Sequence, residues 1–150
     1  MTTLQTIDLI LVGLGNVHRQ FLHLLATRGE ILAQRYGLQL RIVGVADSQG
    51  ALAAAAGLDP ADLLAHKRSG APIHTFPGGV FGATALDLLV HAPAKVLLEA
   101  SPVNLADAQP SLSYVQAALE RSMDVVLANK GPLALHYQLL RKAAAAHGAR

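Results

Sequence analysis

The chain has 150 residues, 52% of them hydrophobic and 15% charged, which is enough length and apolar content for one domain with a substantial core and too apolar for a disordered polymer. Twelve Lys and Arg stand against ten Asp and Glu with no basic stripe interleaved with aromatics, so binding to nucleic acid is not expected. Cysteine is absent, which excludes disulfides, thiolate metal sites and a cysteine nucleophile.

Aromatics make up only 4% and Trp is missing, so the core must be built from Leu, Val, Ile and Ala, a composition suited to helices packed on a buried parallel sheet. The N-terminus, MTTLQTIDLILVG, has no basic n-region and is interrupted by Asp8. No window approaches the roughly 18 apolar residues of a membrane helix. A cytoplasmic protein without membrane contact is the expectation.

In chain order, residues 7–12 (IDLILV) predict a buried strand that stops at Gly13. From Asn16 to about Tyr36, the residues Val17, Phe21, Leu24, Leu25 and Leu32 share one face of a helix, with Asn16 as its N-cap and Gly37 just past its end. Residues 40–46 (LRIVGVA) predict a second strand, ending at Asp47 and followed by the turn DSQG. The alanine-rich stretch 51–56 predicts a short helix closed by Gly57. Asp59 and Pro60 then open another, as N-cap and first helical residue. Residues 69–82 (SGAPIHTFPGGVFG) read as an irregular loop over the surface or a ligand. A helix over 84–91, a strand over 95–99 and the loop ASPVN follow. The chain then predicts a helix over 110–121, a strand over 124–128, the turn NKGP and a last helix over 132–147.

This alternation predicts an α/β fold, a Rossmann-like, doubly wound, mostly parallel sheet with helices on both faces. Right-handed crossovers place the C-terminal ends of the parallel strands on one edge. The polar features fall there: Gly13–Asn16, Asp47 and Ser48, Glu99 with Ser101 and Pro102, and Asn129 with Lys130.

A diphosphate needs backbone N–H groups at a helix N-terminus with no Cβ in the way. Gly13 would supply the tight turn and Gly15 the close approach. His18 stands where the third glycine of a Gly-x-Gly-x-x-Gly fingerprint belongs, a position chiefly concerned with packing the helix on the strand. It would push the helix outward or turn its side chain aside. Asp47 could accept ribose hydroxyls and so favour NAD over NADP. It lies 32 residues after Gly15 rather than the usual ~20, an excess explained by the long first helix. No Arg adjoins Asp47 to meet a 2′-phosphate, although Lys67 or Arg68 could swing in. Glu99 could bond a ribose or the nicotinamide carboxamide, or be a carboxylate paired inside the fold. Lys130 could face an oxyanion or carboxylate, or be a solvated loop lysine. The seven histidines show no metal-ligand spacing.

The stretches LVGLGNV, RIVGVADSQG, LLEASPVN and above all DVVLANKGPLA resemble the N-terminal nucleotide-binding domain of homoserine dehydrogenase, in order and spacing, from about Ile7 onward. That family reduces aspartate 4-semialdehyde to homoserine with NADH or NADPH. The resemblance implies that Gly13, Gly15, Asn16 and Val17 hold the diphosphate and that Asp47 lies by the adenosine ribose. It implies Ser101 and Pro102 near the nicotinamide, and Lys130 close to both nicotinamide and substrate. It also implies that residues 1–150 correspond to the cofactor half. The second domain, which holds the amino-acid substrate and forms the dimer, lies outside them. The chain alone is therefore expected to show no substantial homoserine oxidation, and apolar surface left uncovered would favour self-association. Two other readings stay open: a stand-alone, non-catalytic nucleotide-binding module, and a dehydrogenase acting on another substrate such as aspartate.

Overall fold

The computed structural model describes residues 4–150. Its elements are β1 (Gln5–Val12), α1 (Asn16–Tyr36), β2 (Leu38–Asp47), β3 (Gly50–Leu58), α2 (Pro60–Arg68), a 3-10 turn (Ile73–Thr75), β4 (Val80–Phe81), α3 (Ala85–His91), β5 (Val96–Glu99), α4 (Ser111–Glu120), β6 (Asp124–Leu127) and α5 (Gly131–His147). They form one six-stranded sheet in the order β4-β3-β2-β1-β5-β6. β2, β1, β5 and β6 run parallel, β3 runs antiparallel to β2, and β4 runs antiparallel to β3.

β1 shows why the sheet is covered on both sides. Successive side chains of a strand point to opposite faces. Leu9 and Leu11 pack with Leu22 and Leu25 of α1 and with Leu63 and Leu64 of α2. Ile10 and Val12 pack with Leu88 and Leu89 of α3 and Ala118 of α4. A strand apolar on both faces must be buried on both. α5 closes a third cluster with α4, through Leu140 against Leu112, Val115 and Leu119. No helix among the described residues is long and apolar enough to cross a membrane.

One element differs in kind from the sequence expectation. Residues 51–56 are not a helix but part of β3, which returns beside β2 after the two-residue turn Ser48–Gln49, with Asp47 paired to Gly50. Alanine favours helices only as a weak prior, and tertiary context overrides it. At the start of β3, Gly50 makes room for β4 and the 3-10 turn to pack against the strand. A Cβ on it would sit 2.5 Å from the carbonyl oxygen of Val80 and 2.8 Å from the Cβ of His74. The alanines then pair with β2 as far as Ala53. Beyond it the strand bulges, because the next partners are Leu58 and Ile42. The stretch read as a loop, 69–82, contains the 3-10 turn and β4, the latter pairing with β3.

The chain leaves β1 outward through β2, β3 and β4, then crosses back to the other flank of β1 as β5 and β6. Between β2 and β5 the connections diverge. A crevice opens there, over the C-terminal end of β1.

Candidate functional site

The crevice is a cleft of about 530 Å³, lined by Gly13 from the end of β1, Asp47, Ser48 and Gln49 from the end of β2, Gly82–Ala85 before and at α3, Ser101–Asn104 after β5, and Tyr114 of α4. That volume suits an organic ligand of cofactor size.

Gly13, at the floor of the cleft, and Gly15, just outside its lining, do different work. Gly13 has φ +82°, and a Cβ there would lie 2.5 Å from the Ser101 nitrogen and 2.7 Å from the Ala100 carbonyl carbon. It therefore allows both the turn and the close approach of the loop after β5. Gly15 has φ −83°, and a Cβ there would meet nothing within 4 Å. Its missing side chain keeps open space in front of α1. The start of α1 is also free of its own anion. Gly15, not Asn16, is the N-cap, no side chain caps the helix, and no acidic residue stands in its first turn. Asn16 is the first helical residue and accepts a hydrogen bond from Arg19 instead. The Arg19 N–H finds the Gly15 carbonyl, whereas the N–H groups of 16–18 belong to a helical first turn with no intrahelical acceptor. With the helix dipole, these amides are suited in chemistry to an anion beside Gly15. A Gly15→Val variant should keep the melting temperature within about 2 °C, since the backbone is unstrained and no core contact changes. It should weaken dinucleotide binding at least tenfold, roughly 1.4 kcal/mol. Calorimetric titration beside a melting curve checks it; unchanged affinity would show that the diphosphate does not approach Gly15.

Asp47 lies at the cleft, as its position at the end of β2 requires, but most of its hydrogen-bonding capacity is in use. Oδ2 accepts from Lys67 Nζ at 2.7 Å and from the Ile73 N–H at 2.8 Å, and Oδ1 from the Gln49 N–H at 3.0 Å. Partial burial alone would raise its pKa. The Lys67 ammonium and the two N–H donors outweigh it, holding the carboxyl below its ordinary range. A carboxylate oxygen has two lone pairs, so Oδ1 keeps one for a ligand hydroxyl and Oδ2 keeps none. Lys67, one of the two cations that could swing in, is thus already docked on Asp47 and on the Ala71 carbonyl at 2.8 Å.

Glu99 is placed differently from the cofactor contact considered for it. It is 1% exposed and does not line the cleft. Alternation along β5 puts it on the same side as Leu97, facing α4. Its Oε1 accepts from the Ser101 N–H at 2.9 Å and from the Ser101 hydroxyl; its Oε2 accepts from the Ser111 hydroxyl at 2.6 Å, at the start of α4. Burial, and secondarily the charge of Glu99, raise the pKa of Tyr114 one turn further on. Asn129, 2% exposed, belongs to the same framework. Its amide reaches the Pro102 carbonyl at 3.3 Å and the Ser101 oxygen at 3.4 Å, while its carbonyl accepts from the Gly131 N–H at 3.0 Å. Glu99 and Asn129 hold the Ser101–Pro102 loop that forms the cleft wall. Ser101, Pro102 and Ser48 line the cleft itself.

Lys130 is exposed at the C-terminal end of β6 and has no ion-pair partner among the described residues. It shares the strand-end edge, but β6 is two strands from β1, roughly 10 Å at ordinary strand spacing, and Lys130 does not line the cleft. Asn16 and Val17 are exposed in the first turn of α1 and do not line the cleft. Sequence reasoning missed Gly82–Thr84 and Tyr114. The Thr84/Asp87 capping box marks where α3 begins, a legible signal. Only the pairing of β4 with β3, with the Gly82 N–H donating to the Gln49 carbonyl at 3.0 Å, brings that helix start to the cleft.

Residues 13–150 match the sequence family described as homoserine dehydrogenase, NAD binding domain. The chain is 37% identical over 129 residues to an NAD(+)-dependent homoserine dehydrogenase of Pseudomonas canavaninivorans, covering 85% of this chain and 37% of that protein. It is 30% identical over 141 residues to a homoserine dehydrogenase of Methanocaldococcus jannaschii, covering 94% and 42% respectively. The chain thus spans about two fifths of the length of these relatives. Its fold superposes with a TM-score of 0.79 on a hyperthermophilic archaeal homoserine dehydrogenase in complex with NADPH, at 20% identity, over 97% of this chain and 42% of that one.

Proposed function

The chain belongs to the homoserine dehydrogenase NAD-binding domain family, and from that premise we propose that the cleft serves the reduction of aspartate 4-semialdehyde to homoserine. One observation carries the reading: at the switch point of the sheet, an uncapped helix start faces space that Gly15 leaves open. The donor set fits a dinucleotide. Gly15, Asn16 and Val17 would receive the diphosphate, Gly13 shaping the turn below them. Asp47 and Ser48 would meet the adenosine ribose. Ser101 and Pro102 would line the nicotinamide end.

When bound, the dinucleotide supplies the hydride that the carbonyl carbon of the semialdehyde accepts. The chain's own contribution is position and charge. The wall held by Glu99 and Asn129 keeps the nicotinamide end in one place, and fixed geometry lowers the barrier by removing orientational freedom. Lys130, at the same edge and without an ion-pair partner among the described residues, would put positive charge near the oxygen that gains negative charge as hydride arrives. Grip on the amino-acid part of the substrate would come from the second domain that the resemblance implies.

NAD is the expected preference. Asp47 is charged and disfavours a 2′-phosphate, but Lys67 offsets part of that repulsion and leaves the ribose a single acceptor lone pair. The discrimination should therefore be about tenfold, roughly 1.4 kcal/mol, and Asp47→Asn should erase it. Calorimetric titration of the chain with NAD and with NADP tests both. Failure to bind either would remove the proposed function, and tighter NADP binding would reverse the assignment of Asp47.

A further inference from the structure

We propose that His18 is a positioning residue for the dinucleotide, locking the glycine turn on which the diphosphate rests. The inference rests on the dinucleotide reading above. Where a third glycine is expected, the His18 side chain turns inward and is 3% exposed. Its Nδ1 lies 2.8 Å from the Gly13 carbonyl oxygen. A carbonyl only accepts, so Nδ1 carries the proton and donates. The N–H of Gly13 donates in turn to the Ala46 carbonyl at 2.9 Å. Both polar groups of Gly13 are therefore tied, one to β2 and one to the first turn of α1.

The consequence reaches the opposite wall. Gly13 sits so close to the loop after β5 that a Cβ on it would be 2.5 Å from the Ser101 nitrogen. Holding Gly13 thus sets the spacing between the start of α1 and the Ser101–Pro102 wall. A glycine at position 18 has no side chain to make this bond, and the Gly13 carbonyl would lose its partner. Phe21 backs the imidazole, with ring centres 6.5 Å apart. Burial pushes the His18 pKa down, against the opposing effect of the Gly13 bond, so the ring is neutral at neutral pH. His18 therefore acts by geometry rather than by presenting a cation to the phosphate.

The test compares the unsubstituted chain with His18→Asn, His18→Leu and His18→Gly. NAD binding is read by calorimetry, adenosine binding by NMR shift titration, and folding by melting curves. The asparagine amide can place an N–H donor where Nδ1 stands. His18→Asn should bind NAD within about threefold of the unsubstituted chain, while the Leu and Gly variants should lose about tenfold, the span of one neutral hydrogen bond. Adenosine, which carries no phosphate, should bind equally well to all four. Equal NAD affinity in the Leu and Gly variants would overturn the proposal. So would an Asn variant as weak as these two, or a parallel loss of adenosine binding, which would indicate general loosening. Should His18→Leu not fold, the comparison of Asn with Gly decides by the same criteria. An unsubstituted chain that binds no NAD would overturn the dinucleotide reading itself and this inference with it.

Discussion

Replacing Gly13 with alanine should cost the chain both its stability and its ligand. The residue sits at φ +82°, and the added methyl would lie 2.5 Å from the Ser101 nitrogen and 2.6 Å from the Ser101 Cα. The left-handed conformation costs a non-glycine residue about 1–2 kcal/mol. The clash is with backbone, which cannot rotate aside as a side-chain tip can, so the turn or the Ser101 loop must shift. A total near 3–5 kcal/mol is expected, in the range of substitutions that combine strain with overpacking. NAD affinity should fall about a hundredfold or more, because the shifted turn carries the start of α1 away from the Ser101 wall. Denaturant unfolding and calorimetric titration of the variant check the two effects separately. A Gly13→Ala chain with unchanged unfolding midpoint would refute the packing argument. The contrast with Gly15, where stability should hold and only binding should suffer, distinguishes a glycine required by the protein from one required by the ligand.

Glu99→Ala is the second large effect. Three donors converge on this buried carboxylate: the Ser101 N–H, the Ser101 hydroxyl and the Ser111 hydroxyl. Alanine would leave them without an acceptor and open a cavity beneath the Ser101–Pro102 loop. Each stranded donor costs about 1–3 kcal/mol, partly relieved where a hydroxyl rotates or water enters, so a loss near 3–4 kcal/mol is expected. For a domain of this size that lowers the melting temperature by about 10 °C. Glu99→Gln should lose roughly 1 kcal/mol, since one oxygen still accepts and a serine hydroxyl can turn to accept from the new amide. Melting curves for both variants, paired with NAD titration, decide between two roles. A framework residue makes stability fall first. If Glu99→Gln kept full stability yet lost NAD affinity tenfold, Glu99 would be touching the ligand after all.

Much of this was legible in the residues. Apolar runs ending at Gly13, Asp47, Glu99 and Ala128 marked the parallel strands, most plainly β1 and β2, because a strand covered on both faces has no polar alternation to obscure it. Helix boundaries followed from local chemistry: Asp59 accepts from the N–H groups of Ala61 and Asp62, and Gly37 takes the left-handed cap of α1 at φ +64°. Gly13, Asp47, Ser48, Ser101 and Pro102 reached the cleft because strand ends in such a sheet share one edge. Two kinds of feature stayed hidden. β3 is an alanine-rich stretch whose local preference is helical, and only pairing with β2 makes it a strand. The direction of a side chain at the common edge was hidden as well. Glu99 and Asp47 both end apolar strands, yet one turns beneath the loop toward α4 and the other faces the cleft.

By itself, the sequence determined the layered α/β architecture, the position of the glycine turn and the family to which the chain belongs, because each is set by residues near one another along the chain. Tertiary structure alone decided what those residues can do. It made Lys67 the partner of Asp47, put Gly82–Thr84 and Tyr114 into the cleft wall, buried Glu99 and Asn129 as its supports, and turned His18 onto the Gly13 carbonyl. Hydrogen-bond partners far apart in sequence are chosen by the packing of strands and helices. Which lone pairs and which amides remain free for a ligand is therefore known only once that packing is complete.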